Sequence, residues 1–254
     1  MMYIRATGIL LLVLFVSCKW WYKAEAEVEI RVKVVREDPV VVAEKAAEEV
    51  SKATGKGVEE VKTLSKEELG KIAKDVDDNA KVALQDSRNF SNGDANAKKT
   101  SELIKEIKDS AEKFDLAFKT LVGAGFTGVV SDVVMANMNS HLKRLSLVDN
   151  LAGIVENSGS IEDAKKAVGA FGGDTGSCMS DISESRGHRQ NKGSEQCMKS
   201  LMGNVSDLFN GVYKELRDVL EEAPEKFKEA LGALRRAAWD LSSASSLVKN
   251  KISS

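Results

Sequence analysis

Proline occurs at only two positions of this 254-residue chain, 39 and 224, and after the first of them apolar residues recur three and four apart almost to the end. Proline removes a backbone donor and clashes with the preceding helical turn, so long proline-free stretches with a 3.6 period leave little but α-helix to fold into. The clearest stripe is Leu103, Ile107, Ala111, Phe114, Phe118 and Leu121, with Lys, Glu and Asp between them. One apolar face on a charged helix has to be buried against other helices, which is the pattern of an antiparallel bundle.

Other stretches repeat the signal. Val40 to Thr54 reads as a short helix ended by Gly55 and Gly57. Ser65 and Glu68 form a capping box, and the helix they open carries Leu69, Ile72, Val76, Ala80 and Ala83 on one side. Asn89 to Asn96 is a loop by composition. Gly123, Gly125 and Gly128 break the next helix, and another runs from Val129 to Glu156. Ser160 and Asp163 open a short helix to Ala170. Met198, Leu201, Val205, Leu208, Val212, Leu216 and Val219 mark one late helix, and Phe227, Leu231, Leu234, Ala238, Leu241 and Val248 mark the last. Pro224 falls in the first turn of that last helix, where its missing N–H costs little. The expected fold is all-α, an antiparallel bundle of five or six substantial helices over residues 40–254. Phe171 to Ser194, rich in glycine, is the least regular stretch.

The N-terminus is organised differently. Arg5 gives a positive start, Ile9 to Val16 a short apolar run, and Ser17 a small residue before Cys18. A membrane span takes about 20 residues, so the run is read as a removed signal rather than an anchor. A cysteine directly after the cut is the mark of a bacterial lipoprotein signal, whose thiol carries the lipid. An ordinary secretory signal or a buried segment are the alternatives. Residues 1–17 are then signal peptide and residues 18–39 a lipidated tether. Trp20, Trp21 and Tyr22 suit a membrane interface or a dock on the bundle. Val28, Ile30, Val32 and Val34 alternate with charged or polar residues like a strand with no visible partner, and are read as extended linker.

Export permits a disulfide, and once Cys18 is lipidated only Cys178 and Cys197 remain. A pairing that closes a loop of about 20 residues contributes roughly 3 kcal/mol in the chain-entropy view. A zinc site is the competing idea, but it lacks ligands, because only His188 lies between the cysteines and His141 is the other histidine. The loop is read either as a staple or as a constrained contact surface.

Lys and Arg number 37 against 39 Asp and Glu, and the basic pairs Lys98-Lys99 and Arg235-Arg236 read as solvated helix faces, so nucleic acid is not expected. No nucleophile elbow, phosphate loop or dinucleotide fingerprint is present. His141 and His188 read as surface residues. The chain is expected to be a binding protein and no enzyme, without cofactor or metal, and no ligand-binding residues are assigned from sequence.

Leu14-Phe15-Val16-Ser17-Cys18 resembles the signals of borrelial surface lipoproteins, over about five residues. The Lys/Glu/Ala/Ser-rich helices are similar in composition to relapsing-fever Borrelia surface proteins: the variable small proteins, the outer surface protein C family and the complement-regulator-binding lipoproteins. Lys19-Trp20-Trp21-Tyr22 and the Cys178/Cys197 pair depart from the variable small proteins. The resemblance therefore implies the complement-evasion group, lipid-anchored on the outer membrane at the cell surface, with host factor H as the expected plasma partner. A variable surface antigen without a fixed soluble ligand and a periplasm-facing lipoprotein are the alternatives.

Overall fold

The computed structural model describes residues 38–127, 129–172, 176–184 and 191–252. The signal, Cys18, the tether up to residue 37 with its alternating segment, and His188 lie outside the described residues, and Pro39, read as the end of the tether, is the first residue of the first helix. Among the described residues there are nine helices and no strand: α1 (Pro39–Thr54), α2 (Val58–Lys62), α3 (Lys66–Ser91), α4 (Thr100–Gly123), α5 (Val129–Glu156), α6 (Ile161–Phe171), α7 (Gly176–Glu184), α8 (Lys192–Leu220) and α9 (Glu225–Lys251). The fold is an all-α bundle, and Pro39–Ser254 forms one unit.

Local chemistry sets the boundaries. Ser65 accepts from the Glu68 N–H while the Glu68 carboxylate accepts from the Ser65 N–H, so α3 starts on a complete capping box. Ser160 and Asp163 do the same for α6. Gly125 follows α4 at φ +101°, a conformation that a side chain would strain. Pro224 sits at the N-cap of α9.

Five helices of 24 to 29 residues, α3, α4, α5, α8 and α9, make the framework. Each packs on the next, and α9 returns to α3. Neighbours in this circuit run antiparallel where cross-links show it. Lys98, just before α4, pairs with Asp86 of α3 and Lys113 of α4 bonds Asn79 of α3, Ser101 meets Glu156 between α4 and α5, and Ser206 meets Ser242 between α8 and α9. An odd number of helices cannot close a circuit in which every neighbour is antiparallel. The exception is the α3–α9 seam. Lys66 pairs with Glu225 and Asp77 with Arg236 at the same sequence offset of 159, and Gly70 faces Glu229 in the same register. Equal offsets mean parallel helices. This seam is the most extensive helix contact in the fold.

The stripe on α4 is the middle of the core. Leu103, Ile107, Ala111, Phe114, Phe118 and Leu121 are all buried. Phe114 meets Phe209 of α8 edge-on at 5.5 Å, Phe118 meets Phe126 edge-on at 6.4 Å, and Phe126 packs on Phe227 of α9 at 5.6 Å. Such pairs add to the area they bury. Helix α1 covers the outer side of α4 closely, because Gly123 has no side chain. A Cβ there would lie 3.0 Å from the Ala47 Cα.

One stretch departs from expectation. Part of 171–194 is helical: α7 spans Gly176–Glu184, and α8 begins at Lys192. Cys178 and Ile182 of α7 are buried. The glycines around this helix obscured a one-sided apolar pattern of only two residues, too short to show a period. Helices α6 and α7 pack on each other, on α5 and on α8 respectively.

Candidate functional site

Helix α9 packs on α3 along one flank and on α8 along the other. Its outer side carries Gly232, Arg235, Arg236, Trp239, Ser243 and Ser246, spaced by roughly one helical turn. Trp239 is 50 % exposed and is the one exposed large aromatic side chain among the described residues. Small residues on either side of it leave two clefts. One, of about 530 Å³, lies on the Gly232 side between Lys81 and Tyr213. The other, of about 570 Å³, lies on the Ser243 and Ser246 side and is lined by Leu84, Arg88 and Asn210. Trp239 is common to both.

The α8 flank holds the tryptophan in place. Tyr213 packs against Trp239 with centroids 5.2 Å apart. Arg235 lies over the opposite partner of that pair, its guanidinium carbon 4.8 Å from the Tyr213 centroid, and Nη2 donates to the Tyr213 Oη at 3.1 Å. The tyrosine thus orients both residues of α9, Trp239 by a tilted ring contact and Arg235 by a cation–π contact and a hydrogen bond.

The α3 flank is electrostatic. Asp77 is only 2 % exposed, yet two cations reach its Oδ2: Arg236 Nε at 3.0 Å and Lys81 Nζ at 2.9 Å. Their side chains remain 60 % and 51 % exposed. The hydrogen bond to Asp77 raises the Lys81 pKa. Asp240 sits in the same cleft, and burial first, then the Asp77 carboxylate, push its pKa up. The cleft therefore carries more positive than negative charge on a chain whose net charge is −2.

The residues singled out from sequence are placed as follows. Cys178 and Cys197 are bonded, with Cα atoms 4.8 Å apart and both residues buried. The bridge ties α7 to the start of α8, so the reading of Phe171 to Ser194 as the least regular stretch is corrected where Gly176–Glu184 and the first residues of α8 are helical. His141 is half-buried on α5 and not a plain surface residue. Its Nδ1 is buried without a hydrogen-bond partner, Nε2 faces Arg144 at 3.3 Å, and burial with that neighbouring charge presses its pKa down to about 4. The basic pairs are not simply solvated either. Lys98 bridges Asp86 and Glu106, and Arg235 and Arg236 are engaged as above.

Trp239, Tyr213 and Asp77 were not found from sequence. Asp77 carried a signal, because it falls on the buried side of α3 between Ala73, Val76 and Ala80. Trp239 and Tyr213 carried none, since their meeting depends on how α8 and α9 register. Among the described residues no group of three His, Cys, Asp or Glu could hold a metal ion, and no helix is long and apolar enough to cross a membrane. No protein family, curated protein or solved structure matches the chain.

Proposed function

We propose that this chain is a bacterial surface lipoprotein, anchored in the outer membrane through lipid on Cys18, whose helical bundle binds a soluble host protein through the Trp239 face. One observation carries the binding reading: a half-exposed tryptophan stands between two clefts, braced by Tyr213 and flanked by arginines. Trp, Tyr and Arg are the residues that dominate binding energy at protein interfaces, especially around a pocket. Half of the ring packs on the bundle and the other half is open to solvent, where a partner can reach it. The anchoring half of the reading is supported by Arg5, the short apolar run and Ser17-Cys18. The host partner proposed first is the complement regulator factor H, on the resemblance of the signal and of the helix composition.

Two experiments test this reading. Full-length protein in detergent, immobilised and exposed to plasma, should retain a discrete plasma protein, with factor H the expected identity. Retention of no plasma protein at micromolar concentration would contradict the binding reading. In cells, Cys18→Ala should move the protein out of the membrane fraction, since stable anchoring takes more than one acyl chain and a lipoprotein carries them on that one cysteine. Equal partitioning of the variant and wild type would contradict the anchor.

A further inference from the structure

The Trp239 face has a chemistry that narrows its occupant. Four cationic side chains line the two clefts, Lys81, Arg235 and Arg236 on one side of Trp239 and Arg88 on the other. A single carboxylate, Asp240, lines them with these cations. Buried Asp77 lies below and holds both Arg236 and Lys81, and Asp78 pairs with Lys81 as well, so Arg235, Arg88 and the free edge of Arg236 carry the surplus. The surplus is local, because the chain as a whole is net negative.

The arginine at 236 uses only its Nε toward Asp77. Its Nη1 stands 3.9 Å from where a Gly232 Cβ would be, over the floor of the cleft. A guanidinium in that position can offer its remaining N–H donors to an incoming carboxylate as a planar fork. The walls are not purely ionic. Leu220 closes one cleft, and Leu84 and Leu247 line the other. The site therefore suits a chain that brings carboxylates and apolar side chains together. A nucleic acid would call for a longer run of phosphate contacts than four cations around one tryptophan supply.

We propose that the two clefts beside Trp239 receive an acidic, partly apolar peptide segment of the partner protein, its carboxylates held by Arg236, Lys81 and Arg88 and an apolar side chain laid on Trp239. The inference rests on the binding face named above and adds the chemistry of what it grips. Complementary charge of this kind raises the encounter rate and selects among partners, so the interaction weakens as salt rises.

The test uses full-length protein in detergent with Trp20 and Trp21 replaced by Phe, which leaves Trp239 as the single tryptophan. The probe is an 18-residue peptide with Glu and Leu at helical spacing, beside the same peptide with Gln in place of Glu. The Glu peptide is expected to change Trp239 emission saturably and to bind at least about tenfold more tightly than the Gln peptide at low salt. Lys81→Gln with Arg88→Gln, which leaves Arg236 on Asp77, is expected to remove most of that preference. Equal binding of the two peptides, or no binding of either, overturns the proposal. Heparin binding that depends on Trp239, with no peptide binding, also overturns it and assigns the face to an anionic glycan. Failure of plasma capture is a separate result: it counts against the host-protein reading, whereas a plasma partner lost in Trp239→Ala but unaffected in the Lys81/Arg88 variant keeps that reading and overturns this one.

Discussion

Arg235 lies over the Tyr213 ring, 4.8 Å from the centroid, and bonds the hydroxyl of the same residue at 3.1 Å. The two come from different helices, α9 and α8, so the contact fixes the rotation of α9 as well as the pose of one side chain. Trp239, one turn on from Arg235, packs at a tilt 5.2 Å from the same ring. A tyrosine that serves two neighbours makes a specific forecast. Tyr213→Phe keeps the ring and loses the hydroxyl acceptor, at a cost of about 1 kcal/mol, with Trp239 emission nearly unchanged. Tyr213→Ala removes the stacking surface and shifts Trp239 emission to the red. Fluorescence of the Trp20→Phe/Trp21→Phe background separates the two. An identical response from both variants would mean that the ring is not what holds Trp239.

Asp77 makes the parallel seam depend on charge. A carboxylate only 2 % exposed needs its cations. Loss of Arg236 alone leaves Lys81 on the same oxygen, so Arg236→Met should cost about 1 kcal/mol. Arg236→Met with Lys81→Met strands a buried charge and should cost roughly 3–5 kcal/mol in urea denaturation. Adding Asp77→Leu to that pair should restore most of the loss. A double variant no weaker than the single would show that solvent satisfies Asp77.

Two glycines of the bundle should respond in opposite directions to the same change. At Gly123 a Cβ would meet α1 backbone at 3.0 Å, and backbone gives way poorly, so Gly123→Ala should destabilise by about 1–3 kcal/mol. At Gly232 only the Arg236 Nη1 comes within 4 Å, at an ordinary contact distance of 3.9 Å, so Gly232→Ala should stabilise by about 0.5–1 kcal/mol through helix propensity. Thermal melts of the two variants give the signs directly.

The bundle was legible in the sequence because its signals are local. Periodicity on α4, the capping boxes at Ser65 and Ser160, and Pro224 at the head of α9 each act within one or two turns. The parallel α3–α9 seam was not legible, because it follows from closing five helices into a circuit. Helix α7 was hidden by its length and by the glycines around it. The Trp239 face was hidden for a third reason: Tyr213 and Asp77 meet their α9 partners across 22 and 159 residues of chain, and nothing in the spacing of α9 alone announces either contact. The Cys178–Cys197 bridge lay between these cases, since two cysteines suggested a pair but not the helices that carry it.

That bridge predicts a division between stability and binding. It anchors α7 on the first turns of α8, whereas the face uses α8 from Ser206 to Leu220. Cys178→Ala with Cys197→Ala should lower stability by about 2–4 kcal/mol, with far-UV circular dichroism largely kept and affinity for the retained plasma protein unchanged well below the melt. A marked loss of affinity in a folded variant would place recognition near α7 instead.

If Trp239 anchors the proposed binding face, the affinity of a single variant must show it. Binding of the plasma protein retained by full-length protein should be measured for wild type and Trp239→Ala by surface plasmon resonance, with melting curves for both. Affinity should be at least about tenfold weaker in Trp239→Ala, as expected when an interface anchor is truncated, with a melting temperature within a few degrees of wild type because half of the ring is already in solvent. Equal affinity of the two proteins for that partner would contradict the anchoring role.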